Sequence, residues 1–192
     1  DDRIALVIAD VCGKGIPAAL FMAVSRTIIR SKGMQGCSAG ECLEESNRLL
    51  AAYSIDCMFL TVFYAIYNVK TGLVSYCNAG HNPPHLLHAD GSVNELPLSK
   101  NTIVGVFDGI EFVEDTLQLE QGDTLVMFTD GVPEAADAEY KEFGDDRMDN
   151  ILRQKTGARS QEIIEAVKAG IKAFVGDAEQ SDDITMLVVK RL

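Results

Sequence analysis

Ile4-Ala5-Leu6-Val7-Ile8-Ala9-Asp10-Val11-Cys12-Gly13-Lys14-Gly15-Ile16-Pro17-Ala18-Ala19 is the stretch on which the reading of this chain turns. The apolar run Ile4–Ala9 predicts a fully buried strand, because a continuous run of that length bounded by a turn is strand-sized. It stops at a carboxylate, Asp10. A tight turn through Cys12-Gly13-Lys14-Gly15 follows, and Pro17 sits where the first turn of a helix tolerates a missing N–H. Leu20, Phe21, Val24, Ile28 and Ile29 carry a helix over about residues 16–32. Arg26, Arg30 and Lys32 suit its negative end, and Gly33 stops it. The stripe from Leu20 to Ile29 reads as ordinary core packing.

The strand-then-carboxylate pattern recurs. Thr124–Thr129 predicts a buried strand ending at Asp130, and Ile184–Val189 one that begins just after Asp182 and Asp183. An antiparallel last strand would start at the sheet edge where the other two end. Three carboxylates on rigid supports then converge. They repel one another and are costly to desolvate, and a divalent cation relieves both problems. Taken singly, each is also plain turn chemistry, as in Asp130-Gly131.

Between these points Ser38-Ala39-Gly40-Glu41 is a capping-box pattern opening a helix to about Tyr53. The middle of the chain predicts strands over Met58–Tyr67, Leu73–Ala79, His85–His88, Val93–Leu96 and Phe112–Leu119, with Asn68–Gly72 and Asp90-Gly91 as turns. Further helices start near Phe143 and Ser160. The second of them presents Ile163, Ile164, Val167, Ile171 and Phe174 on one face and closes at Gly176. Strands in blocks between helix pairs argue an α+β fold rather than a doubly wound one. No repeat or linker interrupts residues 1–192, so one domain is expected.

Composition narrows the function. A chain of 192 residues with 47% hydrophobic content can bury a substantial core. A net charge of −12 repels phosphate backbones and so argues against nucleic acid as a partner, while dense carboxylates suit hard cations. No window reaches the ~18 apolar residues of a membrane span, and no secretory signal is visible. The domain is expected to be cytoplasmic without membrane contact of its own, whatever tethers the parent protein. The abrupt start at Asp1-Asp2-Arg3 reads as a boundary inside a longer protein. Five cysteines without a C-x-x-C pair argue against a disulfide framework or zinc knuckle and for free thiols.

The segment Ile8–Ala19 resembles the D-V-x-G-K-G-x-x-A-A motif of the SpoIIE/RsbU-like phosphatases, which are metal-dependent protein phosphatases related to protein phosphatase 2C. Cys77-Asn78-Ala79-Gly80-His81-Asn82-Pro83-Pro84, Phe128-Thr129-Asp130-Gly131-Val132-Pro133-Glu134-Ala135 and Gln180-Ser181-Asp182-Asp183-Ile184-Thr185 match further motifs in the same order. The resemblance implies an α-β-β-α sandwich of two mainly antiparallel sheets flanked by helix pairs. It implies a centre of two Mn2+ or Mg2+ ions, in which Asp10 bridges, the Val11 carbonyl ligates one ion, Asp130 and Asp182 complete the other, and Asp183 stands behind them. It implies hydrolysis of phosphoserine or phosphothreonine on a regulatory protein, an anti-sigma-factor antagonist by analogy. An upstream sensor or receiver domain belongs to the same picture, as does a homodimer whose contacts act through the first two helices. Two departures stand out. The Gly-Gly-Asp-x-x-Asp segment that relatives carry upstream is absent, and Cys12 stands where eukaryotic relatives have a proposed general acid.

Other residues have alternatives. Gly13-Lys14-Gly15 before a helix can contact phosphate, although it lacks Walker spacing. The plainer reading is a turn with a solvated lysine. His81, His85 and His88 are separated by Pro83-Pro84 and do not share a helical face, so zinc is disfavoured, and His81 reads as structural. Cys12 lacks the C-x-x-x-x-x-R cradle of a cysteine phosphatase, and Asp10-Val11-Cys12 lacks the D-x-D of the haloacid-dehalogenase phosphatases. A non-catalytic pseudophosphatase or interaction module is the competing function.

Overall fold

The computed structural model describes residues 2–53, 58–98 and 100–192. In chain order the elements are β1 (Arg3–Val11), α1 (Gly15–Gly33), α2 (Ala39–Tyr53), β2 (Leu60–Asn68), β3 (Leu73–Ala79) and β4 (His85–Leu87). They continue as β5 (Val93–Glu95), β6 (Asp115–Gln118), β7 (Thr124–Phe128), α3 (Asp145–Gln154), α4 (Ser160–Val175) and β8 (Met186–Lys190). The chain divides into two compact units, Asp1–His81 with Leu98–Gln118, and Asn82–Pro97 with Leu119–Leu192. Each unit is one antiparallel sheet carrying its own pair of helices.

In the first unit the strand order is β1-β2-β3-β6. On β2, Leu60, Val62 and Tyr64 alternate toward α1 and α2, where they pack with Ile29, Cys42, Leu43 and Leu50. Phe63 lies on the other face and stacks on Tyr76 of β3, 5.2 Å between centroids. With both faces buried, β2 reads as a continuous apolar run rather than an alternating one. The α2 capping box forms as expected: the Ser38 N–H donates to Glu41 Oε2 (2.9 Å) and the Glu41 N–H to Ser38 Oγ (3.3 Å). Asn47, buried in α2, accepts from the Gly105 N–H (2.8 Å) and donates to the Phe107 carbonyl (2.7 Å), so the loop after β5 is pinned to the helix.

Two expectations here are corrected. Ile4–Ala9 is a strand but is not fully buried: Leu6 and Ile8 are, whereas Ile4 is 51% and Val7 40% exposed. Among the described residues β1 pairs only with β2, at the margin of its sheet, and alternate side chains there face solvent. The α1 stripe is likewise only partly core. Ala18, Ser25 and Ile29 are buried, with Phe21 and Ile28 half-buried beside them, but Leu20 is 64% exposed and Met22 and Val24 also face outward. Helical spacing that turns Ser25 and Ile29 inward leaves Leu20 and Val24 on the far side.

The second unit orders its strands β5-β4-β7-β8. All five residues of β7 are buried. Val126 and Phe128 pack with Met148 and Leu152 of α3 and with Ile163, Val167 and Ile171 of α4, the face expected from the sequence. Burying each such side chain is worth about 1.5–3 kcal/mol. The His85 ring, 3% exposed, packs edge-on to Phe128 and holds Asp149 of α3 at 2.7 Å, tying β4 to the helix. Strand β6 covers only the second half of the Phe112–Leu119 expectation, and β8 starts two residues later than expected. Of the five thiols expected to be free, Cys12, Cys37, Cys42 and Cys77 are free, and Cys57 lies outside the described residues.

Candidate metal centre

The acidic residues of the second unit come from two neighbouring strand ends. Strands β7 and β8 run antiparallel, with Phe128 opposite Met186, so the end of one lies beside the start of the other. Past the last ladder pair the Thr129 N–H donates to the Thr185 carbonyl (3.1 Å). The Thr129 hydroxyl donates to the Asp183 carbonyl (2.9 Å) and accepts from the Thr185 N–H (3.0 Å). These bonds hold Asp182-Asp183 against Asp130-Gly131. Contact is so close that a Cβ on Gly131 would stand 2.5 Å from the Asp183 carbonyl oxygen. The Asp183 N–H donates to Asp182 Oδ1 (2.8 Å), fixing that carboxylate's direction.

The electrostatics of this corner are uncompensated. Among the described residues no lysine, arginine or histidine pairs with Asp130, Asp182 or Asp183. Glu134 registers the resulting field. Partial desolvation, and then the charges of Asp130, Glu142 and Asp182, hold its carboxyl above the ordinary value of 4.5. Glu134 and Thr129 are functional candidates that sequence reasoning left without a role. The signal for Glu134 was available: a second carboxylate four residues after Asp130 inside a matched motif. A cavity of about 690 Å³ opens beside Asp182, lined by Ile164, Ile171, Ile184 and Met186, with Lys168 and Lys172 of α4 also on its wall.

Asp10, Val11, Gly13 and Lys14 belong to the first unit. Asp10 and Val11 are the last residues of β1, where Asp10 is paired with Thr61 of β2 and its Oδ1 accepts from the Val11 N–H (2.9 Å). Cys12 continues that edge, its N–H donating to the Phe59 carbonyl (3.0 Å). The turn into α1 is built on left-handed glycines, Gly13 at φ 94° and Gly15 at φ 79°, with extended Lys14 between them. Thr61, opposite Asp10, also bonds the His81 ring (Oγ1 to Nδ1, 2.9 Å). The Asn78 side chain closes on the His81 backbone at both its N–H and its carbonyl, so His81 is a buried structural residue one side chain removed from Asp10. His85 and His88 have partners of their own, Asp149 and Asp123, and neither reaches the acidic pair.

Among the described residues no three His, Cys, Asp or Glu side chains gather closely enough to hold a metal ion. The donor chemistry of Asp130, Asp182 and Asp183 nevertheless suits a hard cation: it is oxygen-only and anionic.

The family model for Stage II sporulation protein E (SpoIIE) matches residues 1–192. The chain belongs to the SpoIIE family. Among curated relatives it is similar to Protein IcfG of Synechocystis sp., 31% identical over 218 residues, covering 100% of this chain and 34% of IcfG. It is 29% identical to the phosphoserine phosphatase RsbU of Bacillus subtilis, covering 99% of this chain and 56% of RsbU. The chain thus spans about a third to a half of those relatives. Among solved structures it superposes on the SiaA-PP2C domain of Pseudomonas aeruginosa with a TM-score of 0.86 at 20% identity, covering 98% of this chain and 76% of that one. The expected fold class is therefore confirmed: among the described residues, two antiparallel sheets and four helices of the PP2C type. In this SpoIIE domain the four matched motifs fall at strand ends and the turns beside them, and the first, Ile8–Ala19, runs on into α1.

Proposed function

We propose that this chain is the phosphatase domain of a metal-dependent protein serine/threonine phosphatase that removes phosphate from a regulatory protein. The observation that carries the reading is the junction of β7 and β8, where the backbone carrying Asp182 is held against that carrying Asp130 and, among the described residues, no salt bridge reaches either carboxylate. The similarity to RsbU, a phosphoserine phosphatase, supplies the reaction class. By the family resemblance Asp10, the Val11 carbonyl, Asp130 and Asp182, with Asp183 behind them, are the candidate ligands of two divalent ions, Mn2+ or Mg2+.

Bound divalent ions would make water acidic enough to attack phosphorus and would offset charge on the phosphate oxygens. The chain's own residues do the positioning. The Thr129 hydroxyl holds the backbone that carries Asp182. The Asp183 N–H aims the Asp182 carboxylate, and Gly131 leaves room for that backbone to approach. The Val11 N–H orients the Asp10 carboxylate through Oδ1. Glu134, protonated more readily than an ordinary carboxyl, sits where it can hold or release a proton beside Asp130. In this reading Lys14, between two left-handed glycines before α1, contacts substrate phosphate together with the backbone at Gly13. An anti-sigma-factor antagonist is the substrate class by analogy, and an upstream sensor or receiver domain in the full protein and a homodimer belong to the same reading.

The test is Mn2+-dependent hydrolysis of an aryl phosphate by the extended protein, beside Asp10→Ala, Asp130→Ala and Asp182→Ala. Each substitution is expected to lower turnover by about 100-fold or more with the fold retained by circular dichroism. Unchanged turnover in any two defeats the assignment. Calorimetry with Mn2+ separates the competing interaction module, which has no need to bind the ion.

A further inference from the structure

The elbow between α1 and α2 holds two thiols. Cys37 immediately precedes the α2 capping residue Ser38, and Cys42 lies one turn into the helix. These are the two positions that a hydrophobic staple brings together across a capping box, and here both are cysteines. Their hydrogen bonds converge as well. The Cys37 thiol donates to the Lys32 carbonyl (3.4 Å) and the Cys42 thiol to the Ile29 carbonyl (3.6 Å), both acceptors in the closing turns of α1. Cys42 is fully buried in the core of the first unit, and Cys37 is half-buried against it.

We infer that Cys37 and Cys42 form a thiol–disulfide modification site whose co-substrate is a low-molecular-weight disulfide. The more accessible Cys37 thiolate attacks one sulfur of the disulfide RSSR, forming a Cys37–SR mixed disulfide and expelling RS−. The Cys42 sulfur then attacks the Cys37 sulfur, the Cys37–SR bond breaks, and a second RS− leaves. The protons of the two thiols end on the two RSH products. The pair has lost two electrons and RSSR has gained them. Staple geometry favours this second step over a lasting mixed disulfide, because Cys42 already faces Cys37 across a single helical turn. Burial pushes the Cys42 thiol up to about 11, so closure speeds up as pH rises. The product ties the residue before the cap to the first turn of α2 and makes the α1–α2 elbow covalent.

The chain itself offers a clean readout. Trypsin cleaves after Lys32 and Arg48, so residues 33–48 form one peptide that contains both cysteines and no other. The intact protein is incubated with oxidised glutathione, digested without reductant and weighed by mass spectrometry. The expected result is this peptide lighter by two hydrogens and free of glutathione, and the Cys42→Ser variant stopping with glutathione on Cys37. A wild-type peptide that keeps glutathione on Cys37 would overturn the inference. So would one that stays unmodified while the exposed Cys12 is glutathionylated.

Discussion

Thr129 and Thr185 are bonded twice across the end of the β7–β8 ladder: Thr185 donates its N–H to the Thr129 hydroxyl at 3.0 Å, and Thr129 donates its own N–H to the Thr185 carbonyl at 3.1 Å. The hydroxyl proton is left for the Asp183 carbonyl at 2.9 Å. One buried hydroxyl therefore sets the path of the segment that carries Asp182. Thr129→Val keeps the shape and removes both hydroxyl bonds. It is expected to cost about 1–2 kcal/mol in urea unfolding and to weaken Mn2+ binding about tenfold or more by calorimetry. Thr129→Ser restores both. Losses in the serine variant with none in the valine variant would show that the methyl group, not the hydroxyl, matters.

Gly131 makes the same point by steric contact. Its backbone has no need of a left-handed conformation, but any side chain there meets the Asp183 carbonyl oxygen at 2.5 Å. Gly131→Ala must displace Asp182-Asp183 or strain β8, at a cost of about 1–3 kcal/mol. Turnover is expected to fall further than stability, since the displaced residues are candidate ligands. Wild-type turnover in this variant would place Asp182 outside the reaction.

Glu134 supplies a pH test. Its folded-state carboxyl lies above the ordinary 4.5, so above that pH the unfolded chain releases a proton that the folded chain keeps. Stability contributed by this group is present below 4.5 and is lost as pH rises through the folded value. Glu134→Gln is expected to raise the melting temperature at neutral pH in EDTA, with the gain shrinking as pH falls toward 4.5. Adding Mn2+ should narrow the gap between the two proteins by neutralising Asp130 and Asp182. A gain that persists unchanged at low pH would rule out the charge explanation.

The alkaline side is governed by the first unit. Burial above all holds Cys42 up at about 11 and Cys77 at about 12, against an ordinary thiol value of 9.0, and raises Tyr64 as well. Above pH 9 for the two thiols, and above 10 for Tyr64, the unfolded chain ionises these groups while the folded chain does not, so stability declines from there until the folded values are passed. The decline is about 1.4 kcal/mol per group for each unit separating the two states. Thermal melts between pH 8 and 10.5 are expected to steepen downward, and Cys77→Ala to flatten the slope. Identical slopes in the two proteins would contradict this account.

Much of the architecture was legible in the chain because it depends on local pattern. Leu73–Ala79 is a strand with the limits its periodicity suggests, and the Ser38–Glu41 box caps α2 because both partners lie within one turn. Four motifs in order were enough to point to the family. Burial was less legible. Ile4 and Leu20 are as apolar as Ile8 and Ile29, and nothing local distinguishes an apolar side chain that a neighbouring layer covers from one at a sheet margin or on the outer face of a helix.

The candidate site divides along the same line. Sequence alone determined which carboxylates stand at strand ends, since hydrophobic runs and the residues that terminate them are adjacent in the chain. Only the tertiary structure decided that Asp182-Asp183 abut Asp130-Gly131, that Thr129 holds them there, and that Glu134 feels their charge. Those facts depend on hydrogen bonds and fields between residues about fifty positions apart, whose strength falls steeply with distance and which no local pattern encodes.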